Sequence, residues 1–317
     1  MSRKNKIVFL LALLLAAAAA PLIVTDNYNR GVFTIVLINI ISVLGLNFIT
    51  GLTGQMNLGT AGIMAIGAYT SALLTVKTGC SPWITLFASA GMGLAIGFGL
   101  GYPSLRVQGV YLALTTIGFS EVVRMLLSNF QWTNGIRGVH GIPNLSLPGI
   151  DGAGPLARYY IYLGFVILAT ILAFRIANSK YGRLFKAIRD NYEAVQACGV
   201  NIAVPKIMAF TLAAVYGCIA GSLYALHMGF ISPTVYTFDY STTFVVMMIL
   251  GGIGSVPGCV LGAVICTILP EKLRFLGNWY WIVFSAIILL IILFRPYGLI
   301  SLFKGRKPVK PDAEKGR

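Results

Sequence analysis

Residues 181–205 read YGRLFKAIRDNYEAVQACGVNIAVP, the longest water-loving segment of the chain with strongly apolar sequence on both sides. A soluble protein has no need to isolate polar residues in this way. Within the segment Tyr181, Leu184, Ile188, Tyr192 and Val195 recur at steps of three and four, while Arg183, Lys186, Asp190 and Glu193 fall largely on the other side. That is the period of an amphipathic helix. Asp190 followed by Glu193 has the form of a capping box and Gly199 supplies a stop, so a short second helix is expected at about 191–198. It would be roughly 12 Å long at 1.5 Å per residue. This helical elbow is read as a docking surface for another protein, and the rest of the chain as a path through a bilayer.

Composition supports that division. The 317 residues are 57% hydrophobic and 10% charged, with a mean hydropathy of +0.83, whereas soluble domains carry about 25% charged residues. The fold class that follows is an all-α polytopic membrane protein. The net charge of +15 does not point to nucleic acid, because no basic patch on a soluble face with base-stacking or groove-reading elements accompanies it. Cys80, Cys198, Cys218, Cys259 and Cys266 have no CxxC spacing and read as small apolar residues. His140 and His227 lie far apart and read as ordinary polar positions, so no metal site is expected.

Arg3, Lys4 and Lys6 precede the apolar run 7–24, read as a first helix entering from the cytoplasm; a cleaved signal peptide ending near the alanines at 16–20 is the alternative. Further apolar runs at about 32–50, 58–76, 83–102, 109–128, 159–177, 206–228, 241–253, 258–276 and 280–295 bring the expected crossings to about ten. Both termini then lie on the cytoplasmic side. This scheme puts 17 of the 24 Lys and Arg, those of the elbow included, on that side, in keeping with the positive-inside tendency. Residues 304–317 form a polar tail.

Glycine and polar residues interrupt the apolar helices at 51–62, GLTGQMNLGTAG, and at 251–258, GGIGSVPG. These are either a repeated broken-helix element beside a watery pathway or ordinary tight turns with glycines for close packing. Residues 129–158 read as an ordered excursion on the outer side. Glu121 and Arg124, three apart on one helix, read as an ion pair near the outer interface in preference to a gate. The chain has no GxxxxGK[ST], so no Walker A phosphate loop, and no HExxH, GxSxG or paired acidic cluster; an enzyme is not expected.

Taken together, GLNFITGLTGQMNLGTAGIMAIGAY (residues 45–69), YLALTTIGFSEVVR (111–124), YGRLFKAIRDNYEAVQACGV (181–200), LGGIGSVPGCVLGA (250–263) and FRPYGL (294–299) closely resemble the permease subunits of branched-chain amino acid ABC importers, of the "M" type. The likeness runs through nearly the whole chain in order. It implies a transmembrane permease domain over residues 1–303, multi-pass in the bacterial cytoplasmic (inner) membrane. The implied partners are a second homologous permease, two cytoplasmic ATPase subunits that bind ATP and Mg in place of this chain, and an extracytoplasmic substrate-binding protein. Glu193, Ala194 and Gly199 match the Glu-Ala-Ala-three-residues-Gly signature of ABC importer permeases, with Val195 at the second Ala. Thr60 stands where relatives commonly carry His, and Val204-Pro205 echoes a downstream Ile-x-Leu-Pro at shorter spacing.

On this reading the coupling contacts are Arg183, Leu184, Lys186, Ile188, Glu193, Ala194, Val195 and Gly199, with Leu184, Ile188 and Val195 filling a groove of the ATPase. Thr53, Gln55, Asn57, Thr60, Thr115 and Thr116 are the expected polar lining of the translocation path, suited to a zwitterion. A family permease for urea or short amides and an ion-coupled secondary transporter remain as alternatives.

Overall fold

A computed structural model describes Pro21 and residues 26–107, 109–145, 154–294 and 298–303. The expected first helix at 7–24 and the polar tail lie outside the described residues. Among the described residues the apolar runs form nine helices: α1 (Asn27–Leu46), α2 (Thr60–Thr78), α3 (Pro82–Gly101), α4 (Val110–Asn129), α5 (Pro155–Ala177), α8 (Ala203–Met228), α9 (Phe238–Gly251), α10 (Val256–Leu273) and α11 (Tyr280–Phe294). Between α5 and α8 the elbow supplies α6 (Lys180–Asp190) and α7 (Tyr192–Ala197). Six of the apolar helices are long and apolar enough to cross a membrane; α2, expected as a crossing, is not among them, and α9 and α11 are shorter.

Burial explains the layering. Over its apolar window α1 is 83% buried, as expected of a helix that is hydrophobic all round. It packs with α8 at the centre, and α2 and α3 close on the other sides of α8. Gly93, Gly97 and Gly101 of α3 form a four-residue stripe against α8; a Cβ added at Gly93 would lie 2.7 Å from the Val215 Cα, and one at Gly101 3.0 Å from the Ile207 Cα. Small residues at this spacing let two helix backbones approach, which is how helices associate where lipid removes the hydrophobic drive. The outer faces of α3 and α4 carry exposed Phe87, Leu94, Phe98, Tyr111, Leu114 and Val122.

The connections sort into two sets at opposite ends of the bundle. At one end lie residues 53–59 between α1 and α2, the turn 252–255 between α9 and α10, and the elbow, where Arg189 reaches Gly51 and Asn47 reaches Gly254. At the other, a two-residue antiparallel ladder pairs β1 (Val139–His140) with β2 (Phe230–Ile231), and the Lys77 ammonium donates to the Trp132 carbonyl at 2.7 Å. Tyr28 and Glu271 hydrogen-bond there too, joined by Arg274. Of the 129–158 excursion, residues 130–145 are ordered by short 3-10 turns and this ladder, and 146–153 lie outside the described residues. Glu121 and Arg124 form the expected ion pair within α4, with Nε at 3.0 and 3.1 Å from the two carboxylate oxygens.

Candidate functional site

Ser179 caps α6 through its hydroxyl, which accepts from the Gly182 amide. The face that α6 turns inward is Gly182, Phe185 and Ile188, with Phe185 fully buried and Ile188 4% exposed. The expected face is rotated from this: Tyr181 and Tyr192 are exposed, and Leu184 and Val195 are half-buried. Within α6 the inner face is set by Gly182 and Phe185, one position on from Tyr181 and Leu184, and the break at Asn191, whose extended backbone ends α6, takes Tyr192 and Val195 off that period. Lys186 folds back and donates to the Ala177 carbonyl at 3.3 Å, capping α5, while Arg183 is exposed.

The second helix starts one residue later than its sequence pattern implies. Asn191 is the cap, its side chain accepting from the Ala194 amide at 3.0 Å, and Asp190 still belongs to α6. An Asx residue on extended backbone is the better cap because its short side chain reaches the N3 amide, so the expected Asp190–Glu193 box is not used. The resulting α7 is six residues, roughly 9 Å. It has no buried residue: Glu193, Ala194 and Gly199 are exposed. Gly199 stands at φ +77°, and the Val200 amide donates back to the Val195 carbonyl, closing the helix end. The Tyr192 hydroxyl donates to the Glu193 carboxylate at 3.2 Å, and that hydrogen bond raises the phenol above its ordinary range, keeping it a neutral donor.

Both glycine interruptions meet the elbow. After α1 the backbone passes through a π-helical turn, Asn47–Leu52, and then runs irregularly to α2. The Asn47 carboxamide oxygen accepts from the Gly254 amide at 3.0 Å, joining the two interruptions directly. Arg189 then donates to the Gly51 carbonyl at 3.0 Å while its other nitrogens pair with Asp190 at 3.3 Å. Gly54 stands at φ +72°, and a Cβ there would lie 2.6 Å from the Arg189 Cγ. Arg189 therefore clasps one interruption and lies beside the other.

Five of the six polar residues expected to line a path come together here. The Thr116 hydroxyl accepts from the Leu58 amide, Asn57 from the Gly59 amide, and Ser241 of α9 from the Ala61 amide. These bonds satisfy the amides left free where α2 begins. Thr53 donates to the Ile49 carbonyl at 2.6 Å and accepts from the Gln55 amide nitrogen at 3.1 Å. Thr60 is 4% exposed, and among the described residues its hydroxyl has no partner. Thr115 is separate: one residue from Thr116 on a helix, it faces outward and is exposed.

A half-enclosed cavity of about 150 Å³ lies between the elbow and the α1–α2 interruption, lined by Thr53, Gln55, Val107, Ile188, Arg189 and Lys206 among others. Arg189, Asn47 and Lys206 are the site residues that sequence reasoning passed over. Arg189 follows the inward-facing Ile188, which is the one sequence sign of its place. Lys206 is one of the 17 charges assigned above to the cytoplasmic side and nothing more, and Asn47 gave no sign.

Residues 28–293 match the family model described as branched-chain amino acid transport system / permease component. The chain is 34% identical to the high-affinity branched-chain amino acid transport system permease protein LivM of Escherichia coli (strain K12), over 97% of this chain and 78% of the relative. Identity is 28% to the probable branched-chain amino acid transport permease protein LivM of Methanocaldococcus jannaschii, over 66% of this chain and 65% of that one. It is 27% to the autoinducer 2 import system permease protein LsrC of Salmonella typhi, over 65% of this chain and 59% of the relative. No solved structure matches the chain.

Proposed function

The chain belongs to the family of branched-chain amino acid transport system permease components, a multi-pass transport subunit of the inner membrane and not an enzyme; on that premise we propose that it forms, with a second permease, the translocation path for branched-chain amino acids, driven by separate ATPase subunits that dock on the elbow. The observation that carries this reading is the contrast between the two elbow helices. While α6 is anchored to the fold by Phe185 and Ile188, α7 has none of its residues buried. A short helix held out from the bundle, with Glu193 and Val195 on it, suits a cleft in a partner protein.

Ile188 is occupied inside the fold, so the docking contacts are Glu193, Ala194, Val195 and Gly199, with Arg183 and Leu184 beside them. Motion of α7 is passed through α6 to Arg189, and from there to Gly51 and the joined interruptions. Alternating access then follows from two arrangements of these segments around a path that the binding protein loads from outside.

The test is purification of the tagged chain from native membranes, in wild-type form and as Glu193→Lys. The wild type is expected to bring an ATPase and a second permease with it and to support leucine uptake in cells. Glu193→Lys is expected to insert normally and retain the second permease while losing the ATPase and uptake. Uptake undiminished by Glu193→Lys overturns the docking assignment. The LsrC relative, named for autoinducer 2, has a different solute from the LivM relatives; for this chain, competition of leucine uptake by urea and short amides tests that alternative cargo.

A further inference from the structure

We propose that the cavity between the elbow and the α1–α2 interruption is a binding site for a free aliphatic α-amino acid on the side where cargo is released, its carboxylate held by Lys206 and its ammonium group by Gln55. This rests on the reading of the chain as an amino acid permease and adds a site to it.

Lys206 is 5% exposed. It stands in the first turn of α8, where the partial positive charge of the helix end disfavours a cation. Among the described residues no carboxylate lies within ion-pair distance of its ammonium. Its aromatic neighbour is the Tyr192 ring, with the nitrogen 5.8 Å from the centroid. A cation–π contact offsets only part of the cost of withdrawing an ammonium from water. Arg189 on the same wall is paired with Asp190, so Lys206 is the charge in the cavity that calls for an anion.

Gln55 separates an amino acid from a simple anion. The Thr53 proton is committed to the Ile49 carbonyl, so the Thr53 oxygen can only accept, and this fixes the amide nitrogen of Gln55 toward it. Among the described residues the Gln55 Oε1 has no donor, in a residue 9% exposed. A plain carboxylate brings no donor for that oxygen, whereas an ammonium does. Val107, Leu112 and Ile188 supply an aliphatic wall. The volume of about 150 Å³ is on the order of that which holds one benzene-sized molecule, far below the 300–1,000 Å³ or so of drug-sized sites.

The experiment measures binding of radiolabelled L-leucine to the full chain with its copurifying subunits in nanodiscs, without binding protein. Saturable binding is expected, competed by L-valine, with 4-methylpentanoate and 3-methylbutylamine about tenfold or more weaker. Lys206→Met is expected to raise the Kd about tenfold or more with the apparent Tm unchanged or higher, since replacing an unpaired buried charge by an apolar chain is neutral or stabilising. Gln55→Leu is expected to abolish the preference for leucine over 4-methylpentanoate. Absence of saturable binding, equal competition by inorganic phosphate or acetamide, or an unchanged Kd in Lys206→Met overturns the proposal. Leucine uptake in cells is followed in parallel: uptake that needs the chain, together with an unchanged Kd in Lys206→Met, removes the cavity site alone, and uptake that does not need the chain removes the cargo reading itself.

Discussion

Arg189 acts at a place where a lysine would not serve. Its guanidinium spends one nitrogen on the Gly51 carbonyl and others on Asp190, a split that a planar fork allows and a single ammonium on a flexible stem holds poorly. Arg189→Lys and Arg189→Gln are expected to leave ATPase copurification intact while lowering cargo-stimulated ATP hydrolysis about tenfold, the equivalent of losing one charge-assisted hydrogen bond of about 1.4 kcal/mol. Full stimulation in both variants would remove Arg189 from the transmission route. Such a residue is hard to read from sequence because its partner lies 138 positions away. The amphipathic period around Ile188 is local and therefore legible; the carbonyl it faces is not. The same holds for Asn47 and Gly254, which meet across 207 positions. Thr53, Gln55, Asn57 and Thr60 could be grouped from sequence as polar residues of one interruption, but the bonds that Thr116 and Ser241 make to its amides depend on how α4 and α9 approach it.

Apolar helices are the elements that sequence specifies most directly, because a membrane span must satisfy its backbone internally over about 20 residues and leaves a run that no loop imitates. Packing between them is less legible. Gly93, Gly97 and Gly101 face α8 and Gly91 and Gly99 face open space, though all five occur in one glycine-rich run. The difference makes a controlled test. A side chain at Gly97 would meet the α8 backbone near Thr211, and such overpacking costs about 1–3 kcal/mol or more. Gly97→Leu is therefore expected to lower the apparent Tm in detergent by several degrees, and Gly99→Leu to leave it within error. Equal effects of the two substitutions would mean that α3 does not present this face to α8. The elbow is the element where local pattern misleads: the apolar period through Tyr181 and Leu184 lies one position off the face that α6 buries, and it does not survive the break at Asn191. Phe185 and Gly182, buried against the bundle, show the true inner side of α6.

At the scale of the whole molecule, contacts and charge give independent accounts of which end is which. Side-chain bonds place residues 51–59, 252–255 and the elbow at one end, and residues 130–142, 229–235 and the Tyr28–Glu271 pair at the other. The positive-inside tendency leads to the expectation that the first set is cytoplasmic. Two cysteines sit at opposite ends of this scheme: Cys80 in the turn between α2 and α3, half-buried, and Cys198 next to α7, exposed. Cys218, Cys259 and Cys266 are buried in the bundle and serve as silent background. A membrane-impermeant maleimide is expected to label Cys80 from the outer face of intact spheroplasts and Cys198 in inside-out vesicles. Single-cysteine chains, each of the other four changed to Ala or Ser, assign the signals. Docking of the ATPase on α7 adds a second expectation, that Cys198 labelling falls when the ATPase is bound and returns when it is stripped from the vesicles. Labelling of Cys198 from the outer face would invert the topology and with it the placement of both interruptions, whereas correct sidedness without protection would leave the topology standing and move the ATPase contact away from α7.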